Sequence, residues 1–174
     1  MNALDIRKAT INDAEIIALL ARVTFRESFG YLFSNQQDLI DYFEHTFSVD
    51  KIKNGIQKKN NVFWLALLNE LPVGYAKLKK HSTTEFLDQT HQISQLQKIY
   101  ILNDFLGQHI GQQLQDAIFD EVRTLKSTHL WLSVYNGNPK AISFYKRHGF
   151  TSIGTHNFSI GKETFEFTVM DKPF

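Results

Sequence analysis

The chain predicts a mixed α/β (α+β) fold: one central sheet of about six to seven strands with helices on its flanks. Three observations carry this reading. Apolar residues recur at helical spacing in some segments and as short bounded runs in others, and the two kinds follow one another as β, α, α, a group of strands, β–α–β–α, and a final hairpin. The length, 174 residues, suffices for one domain with a real core and is short for two. No repeat, low-complexity tract or Pro/Gly-rich linker interrupts it, so residues 1–174 are expected to form one domain.

The elements follow in order. Leu4 to Ala9 alternates like a short strand, and Thr10 with Asp13 resembles a capping box with Asp in place of Glu. Ile16, Ile17, Leu19, Leu20 and Val23 then space a helix to about Phe29. Leu39, Ile40, Phe43 and Phe47 share one face of a second helix, Gln36 to Phe47, and Val49 to Lys59 adds a helical turn. "NVFWLALL" is a strand of the buried kind, "NELP" turns it, and "VGYAKLK" returns as its partner. Residues 80 to 93 are polar and stay unassigned. Gln95 to Ile101 is a strand, Gly111 to Leu125 a helix, and His129 to Val134 a strand. Pro139 to His148 forms a short helix, with Pro in its first turn and Gly149 at its end. Two strands close the chain, Thr151 to Ile160 and Lys162 to Met170, joined at Gly161.

Composition removes several function classes. A net charge of +1 gives no global pull toward nucleic acid or membrane. With no cysteine there is no disulfide framework and no thiolate metal site, and the chain suits a reducing compartment. No apolar run reaches membrane-spanning length, and the N-terminal stretch lacks a signal-peptide core, so a cytoplasmic protein is expected. The seven histidines show no metal-ligand spacing such as His-Glu-x-x-His, so no metal is expected.

The segment "IYILNDFLGQHIGQQL" poses the functional question. It leaves a strand, bares its backbone at Gly107 and Gly111, and enters a helix. A helix start offers unpaired N–H donors and the positive end of the dipole, which suits a phosphate. A plain structural turn explains the two glycines equally well. The loop is neither a Walker loop, lacking the Gly-Lys-Ser/Thr ending, nor a Gly-x-Gly-x-x-Gly fingerprint.

A second block, "WLSVYNGNPKAISFYKRHGF", gives the loop a context. Together they resemble the GNAT N-acetyltransferase superfamily, which binds coenzyme A on a splayed strand pair, with a loop of form Arg/Gln-x-x-Gly-x-Gly/Ala and a later Asn-x-x-Ala-x-x-Phe-Tyr-x-x-x-Gly-Phe block. Asn138, Ala141, Phe144, Tyr145, Gly149 and Phe150 match that block in full. In the loop Gly111 matches, while Leu106 replaces Arg or Gln and His109 replaces the middle glycine. With the tail "GTHNFSIGKETFEFTVM", the chain looks like the PaiA-type spermidine/spermine acetyltransferases of bacteria.

The resemblance implies direct acetyl transfer from acetyl-CoA to a primary amine of a small molecule, most simply a polyamine, through a tetrahedral intermediate. Tyr145 is implied as the acid that meets the leaving sulfur. The backbone of Ile99 and Ile101, with Tyr100 between them, would pair with the pantetheine amides, and Ile101 would offer the oxyanion donor. Leu106, Gly107, Gln108, His109, Ile110 and Gly111 would hold the pyrophosphate, and Asn138 would bond the pantetheine arm or order the splay. Gln95 and Gln97 stand where many relatives place a Glu base, and an amide cannot take up a proton at neutral pH. Glu27, Phe29 and Tyr31, with Asp38, Asp41 and Glu44 nearby, would form an anionic and aromatic wall for a polyamine. A homodimer is the assembly the resemblance implies. An acetyltransferase of a protein N-terminus or antibiotic amine, and a non-catalytic acetyl-CoA-binding module, stay open beside this reading. Substrate profiling separates the first from a polyamine enzyme, and acetyl-CoA binding without thiol release would identify the second.

Overall fold

The computed structural model describes residues 3–88 and 92–174. Its elements are β1 (Leu4–Lys8), α1 (Ala14–Phe29), α2 (Gln36–Thr46), α3 (Val49–Gln57), β2 (Asn61–Leu68), β3 (Leu71–Lys79), β4 (Ile93–Ile101), α4 (Ile110–Thr124), β5 (His129–Tyr135), α5 (Pro139–Arg147), β6 (Thr151–Ile160) and β7 (Glu163–Pro173). The seven strands form one sheet in the order β1-β2-β3-β4-β5-β7-β6. Only β4 and β5 run parallel; every other neighbouring pair is antiparallel.

Strand alternation sends apolar residues to both faces, so the sheet is covered twice. Val62, Trp64 and Ala66 of β2 pack with α4, whose Ile110, Leu114, Ile118 and Val122 repeat every four residues along one stripe. Phe63 and Leu65 point the other way, into a core with α1 to α3 built on Ile17, Phe25, Leu39, Phe43 and Phe47. Six of the protein's Phe residues, with Tyr75, are buried on this second side.

The structure extends several of the expected elements. The turn after Val49 is a full helix of 9 residues, started by Ser48, whose hydroxyl accepts the Lys51 N–H at 3.3 Å. Strand β3 begins at Leu71 and β4 at Ile93, earlier than the apolar runs alone mark. Of the unassigned stretch 80–93, residues 89–91 lie outside the described residues, as do residues 1 and 2.

Candidate active site

The parallel pair β4–β5 is short. It pairs at Ile93–His129, Ser94–Leu130 and Gln95–Trp131, and beyond these the strands diverge. β4 continues on β3 as far as Ile101, and β5 continues on β7 as far as Tyr135. Each therefore keeps a row of backbone groups that its sheet neighbour does not use, facing across the opening. Gly74 lets β3 approach the upper end of β4, since a Cβ there would lie 2.7 Å from the Tyr100 carbonyl oxygen.

One cleft, of about 980 Å³, opens on the α4–α5 side of this divergence. Its lining includes Ile99, Tyr100, Ile101, Leu106, Gly107, His109, Ile110, Gly111, Asn138 and Tyr145. Gln108 belongs to the same loop but is not on the lining. The loop turns by two left-handed residues, Gly107 at φ 78° and His109 at φ 60°. His109 thus takes the conformation for which glycine is suited, at the N-cap of α4. The first-turn N–H groups of α4 have no carbonyl one turn earlier to bond, and they open toward this cleft. Asn138 caps α5: its side-chain oxygen accepts the Ala141 N–H at 3.1 Å. Tyr145 packs against Phe144 and Phe150 with ring centroids 5.4 and 5.6 Å away, and burial raises its phenol pKa, so it holds its proton at neutral pH.

A second cleft, of about 820 Å³, lies on the opposite face, under α1 to α3 and beside β6 and β7. Tyr100 lines both clefts. On the second cleft, Ser133 Oγ and His156 Nε2 share a hydrogen bond of 2.8 Å.

Two openings thus meet at a divergent strand pair, and one of them ends on a helix start, as the sequence resemblance implies for a coenzyme A site. The profile of the acetyltransferase (GNAT) family matches residues 25–150, more than half of the chain. The chain belongs to the GNAT acetyltransferase family. An uncharacterized N-acetyltransferase in the pepI 3′ region of Lactobacillus delbrueckii subsp. lactis is 25% identical over 164 residues, covering 94% of this chain and 93% of its own. Among solved structures, the PaiA N-acetyltransferase of Thermoplasma acidophilum, in complex with coenzyme A, superposes with a TM-score of 0.77 at 19% identity, covering 99% of both chains. The ribosomal-protein-S18-alanine N-acetyltransferase of Escherichia coli does so with 0.71 at 16% identity, covering 98% of this chain and 94% of its own. This GNAT enzyme is therefore an N-acetyltransferase with acetyl-CoA as its acyl donor.

The expected acceptor wall does not assemble in the GNAT enzyme. Phe29 lines the second cleft and Tyr31 the first, while Glu27 lines neither. The Glu27 carboxylate accepts the Asn103 N–H at 3.0 Å and so anchors the turn that leads into the loop. Asp38 accepts the Lys162 N–H at 2.9 Å and holds the β6–β7 turn, Asp41 accepts from Gln37, and Glu44 pairs with Arg22. Gln95 and Gln97 do line the second cleft, and Gln95 accepts the Ser82 hydroxyl at 2.9 Å.

Sequence reasoning missed several residues on these linings. Lys140 and Arg147 of α5, with His148 just after it, line the first cleft, and their clustering in the "NPKAISFYKRHGF" block was a signal available for phosphate binding. Lys51, Lys58, Lys77 and Lys98 line the second cleft. Burial pushes Lys77 and Lys98 down to about 8, and for Lys77 the Lys98 charge adds to it. Among the described residues no helix is long and apolar enough to cross a membrane.

Proposed function

We propose that residues 1–174 act as one catalytic domain that acetylates the amine of a small molecule in the cytoplasm. The observation that carries this is the short β4–β5 pairing between two clefts that meet at Tyr100. Acetyl-CoA supplies the activated acyl group. The free edge of β4 at Ile99 and Ile101 receives its extended arm as an added strand, and the loop from Leu106 to Gly111 receives its phosphates. Gly107 and His109 shape that loop, Gln108 and Ile110 contribute backbone, and Asn138 fixes α5 beside it. The amine enters from the opposite cleft.

Attack requires a neutral amine, a donor for the oxyanion and a proton for the departing sulfur. Tyr145 supplies the last, since burial keeps its phenol protonated. Ile101 N–H serves the oxyanion. His156, held by Ser133, takes the amine's proton; among the described residues it is the one imidazole on the acceptor lining, whereas Gln95 and Gln97 are unable to accept one.

A polyamine acceptor has the sequence resemblance and the likeness to the PaiA fold in its favour. The acids that would hold it are engaged elsewhere. The test is thiol release from acetyl-CoA over an amine panel for wild type, Tyr145→Phe and His156→Gln. Tyr145→Phe should lower kcat more than tenfold, at least ~1.4 kcal/mol of transition-state stabilisation. His156→Gln should lower kcat/KM more than tenfold. Unchanged turnover in Tyr145→Phe would remove it as the acid, and unchanged kcat/KM in His156→Gln would remove His156 as the base.

A further inference from the structure

The acceptor cleft is lined by four lysines, Lys51, Lys58, Lys77 and Lys98. Lys77 and Lys98 are direct cross-strand partners in the antiparallel β3–β4 pair, and both line this cleft. Like charges placed opposite one another destabilise a strand pair, so this juxtaposition works against the fold. Among the described residues no carboxylate neutralises it. The cleft lining contains no Asp or Glu among the described residues, and neither lysine takes part in an ion pair there. Each ammonium sits over a ring instead: Lys77 above Phe63 at 5.4 Å and Lys98 above Phe47 at 5.5 Å from the centroids. Lys51 and Lys58 add two charges on the same lining.

A second, independent observation points to a ligand. Tyr75 lines the same cleft, is 1% exposed, and its hydroxyl finds no hydrogen-bond partner among the described residues. Buried hydroxyls are normally bonded. A donor of this kind on the same lining as two ammonium groups that no carboxylate meets among the described residues is the chemistry that binds an oxyanion, not a cation. The depressed lysine pKa values agree, because an anion entering the cleft would restore both charges.

We propose that the acetyl acceptor is a small amine that also carries an anionic group, a carboxylate or a phosphate, and that Lys77, Lys98 and Tyr75 hold that group while the amine faces Tyr100. This rests on the N-acetyltransferase reading of the two clefts. The transfer itself is unchanged: the amine nitrogen bonds the acetyl carbon, the carbon–sulfur bond breaks, and the amine's proton leaves as the thiol gains one. A polycationic amine meets like charge in this cleft.

The experiment compares matched amines in the thiol-release assay. Ethanolamine against 2-aminoethyl phosphate and glucosamine against glucosamine 6-phosphate form the phosphate arm. 1-Aminopropane against β-alanine forms the carboxylate arm, and spermidine is the cationic probe. At least one anionic member should exceed its neutral twin in kcat/KM by tenfold or more, and the arm in which it does so names the group. In Lys77→Met/Lys98→Met that ratio should fall to near one, and Lys77→Arg/Lys98→Arg should restore most of it. A preference for spermidine, or equal use of both twins in wild type, overturns the proposal. So does a ratio that survives the methionine pair.

Binding is read separately, as the thermal midpoint under saturating coenzyme A with each anionic amine. A midpoint raised in wild type and not in the methionine pair, without turnover, would keep the anion site and sink the transferase reading. Neither a raised midpoint nor turnover would overturn the anion site. Circular dichroism confirms that the variants fold.

Discussion

Replacing His109 by glycine should make this acetyltransferase more stable. His109 sits at φ 60° and ψ 10°, the left-handed region, at the N-cap of α4. A residue with a Cβ pays roughly 1–2 kcal/mol to stay there. Its imidazole makes no capping hydrogen bond that would be lost. Glycine removes the strain but leaves the unfolded chain freer, which takes back about 0.5–1 kcal/mol. The net gain is then roughly 0.5–1 kcal/mol, about 1–4 °C in Tm for a chain of this size. The control is His109→Ala, which discards the imidazole and keeps the Cβ. Urea denaturation followed by Trp fluorescence should rank Gly above both wild type and Ala. Should Ala match or exceed Gly, the strain at His109 is absent and the left-handed N-cap carries no energetic weight.

Two further perturbations address the frame around the site. Arg7 forks onto Asp13 at 2.7 and 2.9 Å, and that hydrogen bond holds the Asp13 carboxyl at about 2, below its usual 3.8. A carboxylate pKa lowered by folding adds stability above the unfolded value and loses it as pH falls from about 4 to about 2. Asp13→Asn should therefore cost about 2 kcal/mol at pH 7 and almost nothing near pH 2, measured by denaturation at each pH; a deficit equal at both would refute the ion-pair account. Gly74→Ala brings a Cβ to 2.7 Å from the Tyr100 carbonyl and should cost about 1–3 kcal/mol while weakening acetyl-CoA binding in calorimetry; wild-type stability would show that β4 yields freely.

The order of helices and strands was legible because most segments carry one clear period. The amphipathic stripe of α4 and the doubly buried β2 could hardly be mistaken. The loop and the Asn138–Phe150 block stood out as segments because their residue types and spacing are local, and residues of both line one cleft. The acceptor cleft was not legible, because it depends on register. In β4 the pairing with β3 skips Gln97, so a bulge resets the alternation between Gln95 and Lys98. Strict period-two counting from Gln95 puts Lys98 on the far face, whereas the bulge brings both onto the cleft. The meeting of Lys98 with Lys77 follows from the same register, and no stretch of sequence announces it. Glu27 shows the converse: an acid among aromatic residues in the sequence, spent on a backbone N–H in the fold.

The divergence of β4 from β5 has a bearing on how the protein behaves in a crowded solution. An unpaired strand edge on the outside of a sheet invites strands from other molecules and seeds open-ended stacking. Here the two free edges face each other in the middle of the sheet, each backed by strands of its own half. A foreign sheet has no flat flank to lie against, while a single thin extended molecule fits between them. Setting the edge in a notch thus separates two properties that usually come together, the capacity to add one strand and the tendency to add many.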